Sequence, residues 1–201
     1  MESINKLINK TINGNGDSDR HLMTLFGIAI GSKGKKFIEL GVRRGDTTVP
    51  LTIAAKLNSG MVYSVDIEDT KLVLDDDLKP HNTFVKMDAI EFLNEFESKG
   101  GDVDLIYIDD WHSYEQVKKE LEIIDRIASP RTVILLHDLM YGGTCPFYHT
   151  DLTIHEGQWA NGGPYRAVAE LNPQFWEFST IPWANGLTLL RKKYSNKYKQ
   201  I

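Results

Sequence analysis

The sequence predicts a doubly wound α/β fold: a mostly parallel, seven-stranded sheet with helices on both faces. Three observations carry this. Short apolar runs alternate five times with capped or amphipathic helical segments between Phe37 and Leu136, and right-handed crossovers return each strand alongside the last. The first run opens into a glycine-bracketed loop and a helix start, in Lys36 to Leu57, KFIELGVRRGDTTVPLTIAAKL. Finally, Glu39, Asp66, Asp88, Asp109 and Asp138 each stand at the end of an apolar run, where open α/β sheets bind their ligands.

Taken in order, Ile4, Leu7 and Ile8 have helical spacing and are followed by the breaker NGNGDSD. A second helix starts near Ser18 or Asp19 and runs to Gly31. Phe37 to Leu40 is the first strand. Thr47 is placed to cap the next helix, with Pro50 in its first turn, where a missing N–H costs nothing. Met61 to Val65 is strand two, ending in Asp66. Asp69 or Thr70 caps a short helix that Pro80 terminates. Thr83 to Lys86 is strand three, and Asp88 caps AIEFLNEFES, which Gly100 and Gly101 end. Asp104 to Ile108 is strand four. Ser113 and Gln116 form a capping box for YEQVKKELEIIDRI, which Pro130 stops. Thr132 to Leu136 is strand five. Leu139 to Gly163 lacks periodicity and carries Tyr141, Phe147, Tyr148, His149, His155 and Trp159, aromatic and polar groups suited to walling a pocket. Pro164 opens a last helix with Val168 and Leu171. Phe175 to Thr180 and Gly186 to Arg191 then pair antiparallel. Residues 1–35 form a helical extension, 36–191 the main domain and 192–201 a polar tail.

The 201 residues suit one core. A net charge of −5 argues against a general nucleic-acid binder. The single Cys145 excludes an intrachain disulfide and points to a reducing cytoplasm. No apolar run approaches a membrane span, so neither nucleic acid nor membrane is an expected partner. A homodimer is an open alternative to a monomer.

Gly41 and Gly45 let backbone approach a nucleotide-like ligand, or simply shape a βα turn. The spacing is neither G-x-G-x-x-G nor a P-loop. Asp66, some twenty residues further on, suits the two hydroxyls of a ribose. Asp88 can cap a helix and, with Ala89, meet an adenine.

The succession E-L-G-x-x-x-G-D-T, S-V-D, M-D-A, D-L-I-Y-I-D, L-L-H-D and a terminal hairpin resembles the class I S-adenosylmethionine-dependent methyltransferases. The resemblance implies the strand order 3-2-1-4-5-7-6, and that Glu39, Gly41 and Gly45 surround the methionine part of S-adenosylmethionine, Asp66 its ribose, and Asp88 with Ala89 its adenine. Within that family, I-D-D-W-H-S-Y-E followed by L-L-H-D is similar to metal-dependent O-methyltransferases of small molecules and sugars. It implies Asp109 and Asp138 as ligands of magnesium or another divalent cation, and His112 as general base. Neighbouring strand ends lie ~4.8 Å apart, so two carboxylates there can share a hard cation. The family's usual oxygen ligand after the strand-five Asp is replaced by Leu139, and His137 stands as an alternative donor. The expected reaction is methylation of a hydroxyl on a small-molecule acceptor: a sugar, a phenol or a natural product. The alternatives are metal-independent N- or O-methylation, with Asp109 touching cofactor or acceptor, a nucleotide-dependent oxidoreductase, and a silent cofactor-binding protein.

Overall fold

The computed structural model describes residues 2–140, 157 and 160–193. β1 (Lys36–Leu40) is flanked on one side by β2 (Met61–Asp66) and β3 (Asn82–Lys86), and on the other by β4 (Leu105–Ile108) and β5 (Val133–His137). These five strands are parallel. β6 (Trp176–Ile181) and β7 (Leu187–Lys192) form an antiparallel hairpin, and β7 adds antiparallel to β5 with His137 opposite Leu187. The order is β3-β2-β1-β4-β5-β7-β6, as the resemblance implies. Its reversal point falls between β1 and β4, which fixes where a ligand crevice can form.

Strand residues alternate between two cores because their side chains have a period of two. Phe37, Val62, Leu105, Tyr107 and Leu135 pack against α2 (Leu22–Gly31) and α3 (Thr48–Leu57). Ile38, Leu40, Ile106, Ile108, Ile134 and Leu136 pack against α4 (Ala89–Ser98), α5 (Tyr114–Ile127) and α6 (Gly163–Ala169). Burial on both faces explains why the central strands read as continuous apolar runs. Outside α3, α1 (Glu2–Asn13) adds Leu7 to a third cluster with Leu22, Ile53, Leu74 and Leu78.

The short helix expected after Asp69 or Thr70 does not form. Residues 67–78 are irregular, and only a 3-10 turn, Lys79–His81, precedes β3. Asp75, Asp76 and Asp77 are held by Lys6, Lys79 and Lys56, which come from three different elements. In this irregular path Leu74 and Leu78 are buried against Leu7, Leu22 and Ile53. The second N-terminal helix begins as a 3-10 turn, Asp19–His21, before α2. Among the described residues no helix is long and apolar enough to cross a membrane. The aromatic and histidine residues expected to wall a pocket between Tyr141 and Trp159, Cys145, and the tail from residue 194 lie outside the described residues.

Candidate functional site

The glycine loop joins β1 to α3. Gly41 has φ +87°, and a Cβ there would lie 2.3 Å from the Asp109 carbonyl oxygen and 2.8 Å from Asp110 Cα. Gly45 has φ +80°, and a Cβ would meet Leu72 Cδ1 at 2.4 Å. Both glycines are therefore demanded by the chain itself, before any ligand is considered. Gly41 also seats the end of β1 on the end of β4, the reversal point of the sheet.

Asp66 faces this loop. Its Oδ2 accepts from the Val42 N–H at 2.8 Å and the Arg43 N–H at 3.0 Å, and its Oδ1 from the Glu68 N–H at 2.9 Å. A carboxylate offers about four acceptor positions, so most of this one already braces the loop. Asp88 caps α4, its Oδ1 accepting from the Ile90 and Glu91 N–H groups. Ala89 is buried against the core below it, so any contact it makes with a cofactor is through its backbone.

Glu39 differs from expectation. It is fully enclosed, and its carboxyl accepts from Thr47 Oγ1 at 2.7 Å, Thr48 Oγ1 at 2.8 Å and Ser64 Oγ at 2.7 Å. It braces the start of α3 from below and shapes the loop without lining it. Burial pushes its pKa up from 4.5 to about 7, against the opposing pull of the three hydroxyls. Thr47 makes no side-chain cap on α3, because its backbone is already helical at φ −83° and ψ −25°; its hydroxyl donates to Glu39 instead.

At the ends of β4 and β5 the structure brings together Asp109, His112, His137 and Asp138. Asp109 Oδ1 lies 3.3 Å from His112 Nε2 and 3.3 Å from His137 Nδ1. Asp138 lies 3.3 Å from His112 Nε2 through Oδ2 and 3.0 Å from His137 Nδ1 through Oδ1. Burial alone would lift the Asp109 carboxyl, but the two imidazoles outweigh it and hold it well below the usual range. Burial likewise opposes charge on both histidines, and the two carboxylates reverse this: His112 is raised, and His137 well above its ordinary value. Asp138 adopts φ +62°, a left-handed conformation that costs a non-glycine residue ~1–3 kcal/mol. Arg43, Ala184 and Asn185 share that conformation in the adjoining loops.

Several neighbours were not singled out in the sequence. Tyr107 is fully buried and donates its hydroxyl to Asp109 Oδ2 at 2.7 Å; a lone tyrosine in DLIYID was the available signal. Ser18 donates to the same oxygen at 3.3 Å. His21, completely buried, directs Nε2 at the Trp183 and Ala184 carbonyls, and its ring meets His137 edge-on at 5.5 Å. No local pattern announces contacts over such separations. Beside the cluster, Gln116 donates to both Asp110 and Glu120. Gln116 thus completes only half of the expected capping box: its N–H bonds to Ser113 Oγ, while its side chain serves the buried acids. Burial raises Asp110 and raises Glu120 strongly.

Asp109, His137 and Asp138 each offer a ligand atom, and these atoms lie within 4.8 Å of one another. Two details fit a cation. His137 Nε2 lies 3.0 Å from the Ala184 carbonyl, which can only accept, so Nε2 carries the hydrogen and Nδ1 is the nitrogen turned to the carboxylates. Asp138 Oδ1 is buried and, among the described residues, lacks a hydrogen-bond partner. Leu139 is 2 % exposed within the core and supplies no ligand.

A family model described as "Methyltransferase domain" matches residues 38–139. A comparison with curated proteins finds no match. Among solved structures, the chain is similar to an O-methyltransferase from Bacillus cereus in complex with S-adenosylhomocysteine, at 15% identity and a TM-score of 0.65, covering 96% of this chain and 89% of that one. It is also similar to an S-adenosylhomocysteine-bound methyltransferase of Podospora anserina, at 16% identity, TM-score 0.64, and 96% and 89% coverage. A third is the O-methyltransferase of Streptomyces achromogenes involved in tomaymycin synthesis, in complex with S-adenosylmethionine, at 12% identity, TM-score 0.63, and 96% and 91% coverage. At such identities these structures establish a common fold. With the family match spanning half the chain, and with the strand order and glycine loop of that fold in place, the chain belongs to the class I S-adenosylmethionine-dependent methyltransferases.

Proposed function

We propose that the protein methylates a hydroxyl of a small-molecule acceptor, with assistance from a divalent cation. The observation that carries this reading is the cluster of Asp109, His112, His137 and Asp138, placed beside the glycine loop by the contact of Gly41 with Asp109. In this reading Asp66 receives the cofactor's ribose, Gly41 and Gly45 shape the loop at its methionine part, and Asp88 with Ala89 borders its adenine. The methyltransferase unit spans residues 36–191, with residues 1–35 as its extension. The Streptomyces relative's involvement in tomaymycin synthesis favours a natural-product-like acceptor. The net charge of −5 disfavours nucleic acid, and the single cysteine suits the cytoplasm.

S-adenosylmethionine brings an already activated methyl group, so the protein's share is alignment and deprotonation. Asp109 and Asp138 would hold a divalent cation, which would lower the acceptor's pKa and fix its orientation. His112 lies 3.3 Å from both carboxylates, while His137 is tied through Nε2 to the Ala184 carbonyl of the β6–β7 turn; His112 is the candidate base. With no cation on them, those carboxylates raise its affinity for a proton. Tyr107 and Ser18 hold the outer oxygen of Asp109, which fixes the carboxylate's orientation.

One observation favours a metal-independent form of the same reaction. His112 and His137, both raised, can balance the charge of Asp109 and Asp138 without a cation. Calorimetry with S-adenosylhomocysteine, with and without magnesium or manganese, tests the proposal. Saturable cofactor binding by the folded protein is expected, and its absence would overturn the assignment. Methyl transfer abolished by EDTA and restored by a divalent ion supports cation assistance. Full activity after exhaustive EDTA treatment, without stimulation by any divalent ion, selects the metal-independent form.

A further inference from the structure

The proposed cation site has a donor set of uneven hardness. Asp109 and Asp138 contribute carboxylate oxygens from the ends of β4 and β5, while the third group within 4.8 Å is an imidazole. A third oxygen directly after Asp138 is impossible, because residue 139 is a leucine buried in the core. The nitrogen is presented deliberately by the fold. His137 is 1 % exposed and cannot swing away. Its Nε2–H is committed to the Ala184 carbonyl at 3.0 Å, in the turn between β6 and β7. His21 commits its own Nε2 to the Trp183 and Ala184 carbonyls of that turn and closes the edge of the His137 ring. Two imidazoles clamped on one turn leave Nδ1 of His137 facing the carboxylates. A backbone carbonyl holding the far nitrogen is the usual support of a metal-ligating histidine. Independently, Asp138 Oδ1, on a residue 4 % exposed, lies 3.0 Å from that Nδ1 yet accepts no hydrogen bond among the described residues.

We infer that His137 Nδ1 is a third ligand of this site and that the site selects a first-row transition ion such as manganese over magnesium. The inference rests on the cation-assisted reading above and specifies its ion. Magnesium demands oxygen ligands and keeps several waters, so one fixed nitrogen among three protein donors is a poor match. The same nitrogen favours the ions that follow manganese in the divalent affinity order, while the two carboxylates keep manganese itself acceptable. Selectivity then resides in the identity of residue 137.

Manganese itself is the probe. The full chain is titrated with Mn²⁺ and with Mg²⁺ by calorimetry, and the Mn²⁺-loaded protein is read by pulsed electron paramagnetic resonance, which detects a directly bonded imidazole nitrogen without any turnover. The expected results are at least tenfold tighter binding of Mn²⁺ than of Mg²⁺ and a ¹⁴N coupling that ¹⁵N-histidine labelling replaces. The coupling should vanish in His137→Asn and survive substitution of each of His81, His112, His149 and His155 in turn, with His21 kept because it holds the His137 ring in place. That second series leaves His137 and His21, whose Nε2 is turned to the β6–β7 carbonyls, even where His137→Asn fails to fold. Bound Mn²⁺ without nitrogen coupling, coupling lost in another histidine variant, or equal affinity for Mg²⁺ overturns the inference. A protein that binds S-adenosylhomocysteine but no divalent ion overturns it while the methyltransferase assignment stands; one that binds neither overturns both.

Discussion

Glu39→Gln isolates the energetic cost of the acid that braces the glycine loop. Glu39 is wholly buried, and its pKa rises from 4.5 to about 7. The unfolded chain therefore ionises it at lower pH than the folded protein does. For an acid raised on folding, stability is greatest below the unfolded value and falls as pH climbs towards the folded value. Each unit corresponds to ~1.36 kcal/mol, so the step from 4.5 to about 7 is worth about 3 kcal/mol between pH 4 and pH 8. His112 and His137, also raised, lose stability in the same direction, so the wild-type profile alone is ambiguous. The variant removes only the Glu39 share. A glutamine matches the protonated acid in shape and in having one acceptor oxygen, which serves either the Thr47 hydroxyl or those of Thr48 and Ser64. Urea unfolding of both proteins at pH 4 and pH 8 is the assay. The variant should be close to wild type at pH 4 and gain about 3 kcal/mol relative to it by pH 8. A stability difference that is the same at both pH values refutes the reasoning, because Glu39 would then ionise alike in both states.

Three further perturbations test the loop and the cluster. Asp66→Asn keeps an oxygen for the Val42 and Arg43 N–H groups and should preserve the fold while weakening S-adenosylhomocysteine binding tenfold to a hundredfold, from ~1.5–3 kcal/mol for a charge-assisted hydrogen bond; unchanged affinity removes Asp66 from the ribose site. Gly41→Ala places a Cβ 2.3 Å from the Asp109 carbonyl at φ +87°, so it should cost more than the ~1–2 kcal/mol of left-handed backbone alone, and an unfolding free energy within ~0.5 kcal/mol of wild type rejects the contact. His112→Ala should lower turnover ~10²–10⁴-fold with cofactor affinity intact, and the wild-type rate should rise with pH along a limb centred above 6.5, because deprotonating a raised imidazole creates the base. A variant with near-normal turnover across neutral pH confines His112 to a structural role.

The sheet was legible because its strands are buried on both faces, which writes FIEL, DLIYI and TVILL as apolar runs with an acid at the end of each or in the residues beyond. The loop was legible in outline only. Gly41 and Gly45 were read as admitting a ligand or simply shaping the turn, and the structure adds that a side chain there would strike the Asp109 backbone and Leu72. Glu39 was read as a wall of the cofactor site because its spacing marks it, but strand alternation turns it into the α3 side of the core. The failed helix after Asp69 has the opposite cause. Its capping residues are present, yet the lysines that hold Asp75 and Asp77 come from α1 and α3, which no local window contains.

The same non-locality explains what completes the cluster. The family match ends at residue 139 and begins at 38, so it contains Asp109, His112, His137 and Asp138 but none of the groups that clamp them from outside. Ser18 steadies Asp109, and His21 shares the Trp183–Ala184 carbonyls with His137. Asp17 pairs with Arg43 of the glycine loop at 3.1 Å, and Lys10 pairs with Asp46. The exposed pairs contribute little energy individually. The buried contacts are different, since an imidazole with no exposure is fixed by whatever holds its nitrogens. The orientation of His137 is therefore set by the N-terminal extension and the β6–β7 turn together, two segments separated by more than the whole family core. A residue pattern inside that core can name the acids. Only the folded chain shows which nitrogen is turned towards them.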